Sequence, residues 1–68
     1  MITIKDIYEC FMDCYNYEVS LLNEYEDRTY FGVKEFSPMG NIDYYVLYAI
    51  DNDIYNEYGT IIYNKQEV

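Results

Sequence analysis

The side chains in this 68-residue chain that could do covalent or acid–base chemistry include two cysteines, two serines and thirteen acidic residues. There is no histidine, so neither a Ser–His nor a Cys–His nucleophile can be assembled. The three glycines are scattered and form no phosphate-binding loop. Paired carboxylates catalyse only in a cleft that gives them different environments, and the small fold expected below has little room for one. We therefore expect no enzymatic activity, no catalytic residue and no cofactor.

The two cysteines, Cys10 and Cys14, are four residues apart. On one helix they would share a face but would lack relaxed disulfide geometry. We interpret them as free thiols, which favours a reducing, cytoplasmic setting. A structural zinc site needs a second pair of cysteines or histidines, and the sequence has neither.

Asp51, Asp53 and Glu57 offer oxygen ligands over a short stretch. The D-x-D start is like that of a calcium loop, but the glycine and the distal glutamate of an EF-hand are not at their places. A weak calcium site stays an alternative. We expect solvated carboxylates and no metal.

The charge balance is strongly acidic. Thirteen acids oppose only four basic residues and give a net charge of −9 at pH 7. Such a field repels nucleic acid and anionic membranes and attracts basic protein surfaces. We therefore expect no direct nucleic-acid binding, no membrane binding and a basic protein partner. The alternative is that the acids only keep a tyrosine-rich chain soluble.

The acids that could contact such a partner fall into three groups, the last of which contains two tyrosines. A tyrosine beside carboxylates can pack on the stem of an arginine while the acid binds the guanidinium. On a helix the first group would form one stripe opposite the apolar face. The candidate partner-binding residues are Asp6, Glu9 and Asp13; Glu24, Glu26 and Asp27; and Asp51, Asp53, Tyr55, Glu57 and Tyr58.

The element that must position the first group is an N-terminal helix. Thr3 can cap it, with Asp6 three residues on as an acidic variant of the capping box. Apolar residues recur with a helical period and predict a helix over about residues 3–24. The alternative ends the helix near Tyr15 and makes residues 17–22 a strand, because Tyr17, Val19 and Leu21 alternate with polar residues.

The rest of the chain is predicted to form strands and turns. Residues 29–36 and 42–50 alternate as strands, and "SPMGN" at 37–41 is the turn between them. The strand at 42–50 is apolar on both faces and is predicted to be central. Residues 51–59 form either one helical turn or a long hairpin loop, and 60–64 a last short strand. The expected fold is α+β: one N-terminal helix packed on a small, mainly antiparallel three-stranded sheet, in a single domain over residues 1–68.

The N-terminal segment has no apolar run long enough for a signal peptide, and no stretch approaches a membrane span. Together with the unpaired cysteines, this predicts a cytoplasmic protein.

In its length, its charge of −9, its lack of histidine, its Tyr/Asn/Ile-rich composition and the acids named above, the chain resembles the small acidic proteins that phages and other mobile elements make to disable host defence. These include anti-CRISPR proteins, anti-restriction proteins and uracil-DNA glycosylase inhibitors, several of which act as DNA mimics. The resemblance is one of composition, and no family motif is matched residue by residue. It implies a phage-encoded inhibitor acting in the host cytoplasm.

The favoured hypothesis is an inhibitor that blocks the cationic nucleic-acid-binding site of a host defence protein, such as a CRISPR effector or a nuclease. The alternatives are an immunity protein or antitoxin that neutralises a basic toxin, and a homodimeric structural module. In the homodimer the two-sided strand at 42–50 would be buried through Tyr44, Tyr45 and Tyr48.

Overall fold

The computed structural model describes residues 1–10 and 16–65 as one short helix followed by a sheet. The five strands form an antiparallel sheet in the order β1-β2-β3-β4-β5, so each strand pairs with its neighbour in sequence. No helix in these ranges has the length and apolar composition needed to cross a membrane. The elements are α1 (Ile4–Cys10), β1 (Asn16–Glu24), β2 (Thr29–Phe36), β3 (Ile42–Ile50), β4 (Asp53–Asn56) and β5 (Ile61–Asn64).

The prediction of a helix over residues 3–24 packed on a three-stranded sheet is wrong. Helix α1 is seven residues long, and Asn16–Glu24 is the edge strand β1, which pairs with β2. Val19 pairs with Val33 and Leu21 with Phe31, and the register shifts between Leu21 and Asn23. The alternative strand over 17–22 is the interpretation that the structure bears out.

The second error concerns residues 51–59, where a helical turn or a long loop was expected. A two-residue turn at Asp51 and Asn52 leads instead into strand β4, which pairs with β3 on one side and β5 on the other. Asp51 has a φ of 55°, a left-handed conformation that aspartate tolerates better than most residues. The sheet therefore has five strands and not three.

The strands at 29–36 and 42–50 are confirmed with their predicted bounds, and β3 is the central strand. The turn between them is also confirmed: the Ser37 N–H donates to the Asn41 carbonyl at 2.9 Å, and Gly40 has a φ of 86°. The last strand begins one residue later than predicted, at Ile61.

The start of helix α1 is the predicted capping box. The Thr3 N–H donates to the Asp6 carboxylate at 2.7 Å, and the Asp6 N–H is 3.4 Å from the Thr3 hydroxyl. These bonds satisfy backbone groups that have no partner inside the helix. An isolated helix of seven residues is not stable in water, so the cap and tertiary packing must hold it.

The core lies between α1 and one face of the sheet. Alternation along β2 and β3 turns Phe31, Val33, Leu47 and Ala49 toward the helix, which contributes the fully buried Ile7. Within the described ranges, the buried nonpolar residues are Ile2, Ile7, Val19, Phe31, Val33, Leu47, Ala49 and Ile54.

The two edges of the sheet differ. Helix α1 packs beside β1, and the Val19 N–H donates to the Tyr8 hydroxyl at 2.9 Å, so the helix satisfies part of this edge. All four residues of β5, the opposite edge, are exposed, and Ile61, Ile62 and Tyr63 carry no charge. The sheet therefore has one edge that the helix flanks and one nonpolar exposed edge.

Ile7 is the test of how the helix is anchored, because its side chain is 0% exposed. We expect Ile7→Ala to lower the free energy of unfolding by about 2–4 kcal/mol, through lost burial and a cavity. Ile42→Ala is the matched control, since Ile42 is 60% exposed and should change stability by less than about 0.5 kcal/mol. Urea unfolding followed by circular dichroism measures both. Equal losses in the two variants would contradict the anchoring role.

Candidate partner-binding face

The face of the sheet opposite α1 carries a row of tyrosines. Tyr30, Tyr48 and Tyr55 pair directly across β2, β3 and β4, and Tyr25 follows β1 at the same level. Their sequence neighbours Phe31, Leu47 and Ile54 face the core, so alternation turns these tyrosines to the other side. We call Tyr25, Tyr30, Tyr48 and Tyr55 the tyrosine row.

The rings of the tyrosine row contact one another in sequence. Tyr48 and Tyr55 are stacked, with centroids 5.0 Å apart and planes 10° apart. Tyr30 lies 5.6 Å from Tyr48 in a tilted arrangement, and Tyr25 meets Tyr30 edge-to-face at 5.8 Å. Such pairs contribute about 0.5–1.5 kcal/mol each beyond their buried area. The row is therefore an ordered aromatic surface.

Arg28 is a cation that contacts the tyrosine row. The centre of its guanidinium lies 5.6 Å from the Tyr48 ring centroid, and one guanidinium nitrogen lies 3.3 Å from the Asp27 carboxylate. Hydrogen bonding with Tyr30, and then with Asp27, raises the pKa of Arg28 above its ordinary value. The group stays charged at every physiological pH. An exposed pair of this kind contributes little to stability.

Acidic residues surround the same end of the sheet. Alternate turns of an antiparallel meander lie at one end, so the β1–β2 and β3–β4 turns come together. Together with Tyr25 and Arg28 they line one shallow depression. We call its acids the acidic rim: Glu24, Glu26, Asp27 and Asp51. Asp53 begins β4 at this end, where its carboxylate accepts a hydrogen bond from the Asn64 side chain. The second predicted group and part of the third are thus neighbours.

The remaining members of the third predicted group lie at two different places, because strand β4 runs between them. Tyr55 lies in the tyrosine row, whereas Glu57 and Tyr58 belong to the β4–β5 turn at the far end of the sheet. Tyr58 is 85% exposed, and the Asn56 side-chain oxygen accepts hydrogen bonds from the Tyr58 and Thr60 N–H groups. The predicted residues over 51–58 therefore do not form one contiguous contact.

The predicted helix stripe is not brought together as a contact surface. Asp6 is only 8% exposed, and its carboxylate lies 3.1 Å from the Lys65 ammonium. Burial alone would raise the pKa of Asp6, but hydrogen bonds from Thr3 and Lys65 outweigh burial and hold it below 3.8. Glu9 is exposed, and Asp13 lies outside the described residues. Asp6 is engaged within the fold.

The described residues offer little for other chemistry. Residues 1–10 and 16–65 contain no group of three or more histidine, cysteine or acidic side chains placed to hold a metal ion. Burial, followed by the charges of Asp6 and Glu9, raises the pKa of the Cys10 thiol, which disfavours the nucleophilic thiolate. Cys14 lies outside the described ranges. What the arrangement offers is recognition by charge and aromatic contact.

Basic residues neutralise few of the acids. In the part of the chain that the structure describes, Arg28 pairs with Asp27, Lys34 with Glu18 at 3.8 Å, and Lys65 with Asp6. None of these ion pairs involves the other three acids of the rim: Glu24, Glu26 and Asp51. The rim therefore presents unneutralised charge beside the tyrosine row.

Sequence reasoning missed Tyr25, Tyr30, Tyr48 and Arg28 as parts of this face. The alternation of residues 42–50 already placed Tyr48 on one side of β3. Its neighbours in the row come from β2 and β4, so the row depends on the registers of two strand pairs. The missing signal was the cross-strand register, which places Tyr30 opposite Tyr48 and Tyr48 opposite Tyr55.

No protein-family model, no curated protein and no solved structure matches the chain. The resemblance to anti-CRISPR proteins and DNA mimics is therefore not tested by comparison and stays a prediction. Function is inferred below from the geometry and charge of the chain's own residues.

Asp6 gives a pH-dependent prediction for the fold. Its pKa is lower in the folded chain than the ordinary 3.8, so its carboxylate stabilises the fold above about pH 4 and loses this effect as the pH falls further. We expect Asp6→Asn to cost roughly 1 kcal/mol near neutral pH, because it weakens the cap and the Lys65 pair. The difference between wild type and variant should shrink toward pH 2 in urea unfolding.

Glu9→Gln is the matched control for Asp6→Asn, because Glu9 is an exposed acid on the same helix. Each variant removes one negative charge, so the change in overall repulsion is the same. A Glu9→Gln variant that loses as much stability as Asp6→Asn would contradict the assignment of Asp6 to the fold.

Proposed function

We propose that the protein is a small acidic inhibitor that binds the cationic nucleic-acid-binding site of another protein and blocks it as a DNA mimic. It would be phage-encoded and act in the host cytoplasm, with a CRISPR effector as the first target class to test. The observation that carries the proposal is the acidic rim beside the tyrosine row, at one end of the sheet.

Charge supports this choice of partner. Protein surfaces that hold nucleic acid are rich in arginine and lysine, which contact phosphates. The rim offers carboxylates that have no ion pair within the described part of the chain, on a protein of net charge −9. Opposite charge steers association and makes it fast and sensitive to salt.

The tyrosine row supports a protein partner over nucleic acid itself. Tyrosine is enriched among residues that dominate binding energy at protein interfaces. Stacked aromatic rings can also hold bases, but the surrounding acids repel phosphates. Rings bordered by carboxylates therefore suit arginine- and lysine-rich protein surfaces.

The homodimer alternative meets a geometric obstacle. Tyr45 packs against the core on the helix side of the sheet, whereas Tyr48 lies in the row on the opposite side. One interface therefore cannot bury Tyr44, Tyr45 and Tyr48 together across a single sheet face. An immunity protein or antitoxin would use the same rim, so the identity of the captured partner must separate it from a defence inhibitor.

The decisive experiment is capture from a bacterial lysate at low salt, followed by a high-salt wash and mass spectrometry of the eluate. We expect wild type to recover a basic nucleic-acid-binding protein. A rim variant should recover several-fold less of it, because each lost charge pair at an interface weakens binding. The rim variant carries Glu24→Gln, Glu26→Gln and Asp51→Asn.

A charge-matched control separates the rim from overall charge. The control variant carries three neutralisations away from the rim: Glu9→Gln, Asp43→Asn and Glu57→Gln. Each triple variant has a net charge of −6 instead of −9. Equal losses in the two variants would remove the rim from the proposal, and recovery of no basic partner by wild type would overturn it.

The purified complex gives a second prediction. The dissociation constant should rise steeply with salt, because added salt shortens the Debye length and screens the attraction between the rim and a basic surface. The rim variant should show a shallower dependence than the control variant. Binding assays over a series of salt concentrations measure both slopes. A dissociation constant that barely changes would contradict DNA mimicry.

A further inference from the structure

We propose that the tyrosine row is an arginine-selective docking face, on which Arg28 holds the place of a partner's arginine in the free protein. The proposal rests on the proposed function in one respect, that the partner is basic. It goes further by naming the partner's contact as arginine and not lysine, and by assigning Arg28 a competing role.

The internal arrangement of Arg28 is the first support. Its guanidinium lies over the Tyr48 ring at 5.6 Å from the centroid while it binds the Asp27 carboxylate at 3.3 Å. The row thus already accommodates one guanidinium with an aromatic face and an adjacent carboxylate.

The surroundings of Arg28 give room for a second cation. A shallow, open depression beside it is lined by Asn23, Tyr25, Asp27, Arg28 and Tyr30. Tyr25 is 55% exposed at the outer end of the row, and the Glu24 and Glu26 carboxylates flank it in sequence. An incoming arginine can therefore stack on Tyr25 or displace Arg28 from Tyr48.

The chemistry of this surface favours arginine over lysine. A guanidinium is planar, stacks on aromatic faces and donates in a fork that matches a carboxylate. An ammonium is a compact, strongly hydrated charge that gains less from an aromatic face. An acidic surface without the rings would keep only the preference that carboxylate pairing gives, so the rings must add to it.

Four other described tyrosines, Tyr8, Tyr17, Tyr45 and Tyr58, do not offer this combination. Tyr17 and Tyr45 pack against the core on the helix side, and burial is the first cause of the raised pKa of each. The Tyr8 hydroxyl accepts the Val19 N–H beside the helix. Tyr58 is exposed in the turn at the far end, away from the acidic rim.

The test uses poly-arginine and poly-lysine peptides of equal length as probes, with binding measured by calorimetry at fixed ionic strength. We expect wild type to bind the arginine peptide more tightly, by about two- to fivefold for each arginine engaged on a ring. Tyr48→Leu and Tyr25→Leu should reduce this preference toward equality. All of these variants keep the net charge of −9.

Tyr58→Leu is the matched control, because it removes an exposed tyrosine at the opposite end of the sheet. It should leave the preference for arginine unchanged. Tyr48 is half-buried, so Tyr48→Leu could disturb the fold. Tyr25 is more than half exposed, so Tyr25→Leu tests the row with less effect on the fold. A circular dichroism spectrum and an unfolding curve for each variant confirm that the fold is kept.

Arg28→Gln tests the competing role. It should raise the preference for arginine, because the row is then vacant for the probe. Lys34→Gln is its matched control: Lys34 also pairs with an acid, and its removal changes the net charge by the same amount. Lys34→Gln should strengthen both peptides alike and leave their ratio unchanged. A lower preference in Arg28→Gln would overturn the competing role.

The outcomes separate this inference from the proposed function. Equal, salt-sensitive binding of both peptides would overturn arginine selectivity and leave an acidic surface for basic partners intact. Weak binding of both peptides would overturn both proposals. Arginine preference that Tyr58→Leu abolishes as readily as Tyr48→Leu would exclude the tyrosine row as its source.

Discussion

A helix of seven residues can cover only part of one face of a five-stranded sheet, and the rest of the chain is arranged around this shortage of cover. The helix is held by the Thr3–Asp6 cap, the Lys65 ion pair and the buried side chain of Ile7. A single thin core results, with a small number of buried side chains in the described ranges. The opposite face of the sheet must be stable while it is exposed to solvent.

Tyrosine meets that requirement because its ring excludes water from the sheet while its hydroxyl remains solvated. Within residues 1–10 and 16–65 no second layer covers this face, and the contacts from Tyr25 through Tyr30 and Tyr48 to Tyr55 stabilise it. The same rings stay reachable by another molecule. The tyrosines that stabilise this face are therefore the same residues that we propose for recognition, so a substitution in the row is expected to affect both stability and binding.

The sequence predicted β2, its turn and β3 because their alternation is unbroken and Pro38 and Gly40 mark the turn. Residues 16–24 were misassigned because Val19 and Leu22 fit a helical period as well as a strand, and only pairing with β2 decides between them. Strand β4 was not predicted because Ile54 is its one buried side chain, so the strand has no apolar alternation in the sequence. The tyrosine row was not predicted for a similar reason: it depends on the register between strands, which is a tertiary property.

The exposed edge strand β5 indicates a second effect of the net charge, which is to oppose aggregation. Ile61, Ile62 and Tyr63 form an uncharged edge of the kind along which strands of other copies add and aggregation begins. A charge of −9 on every molecule opposes that growth at low ionic strength. Colloidal stability and the proposed partner recognition therefore depend on the same carboxylates, and a substitution that neutralises an acid brings the chain closer to self-association.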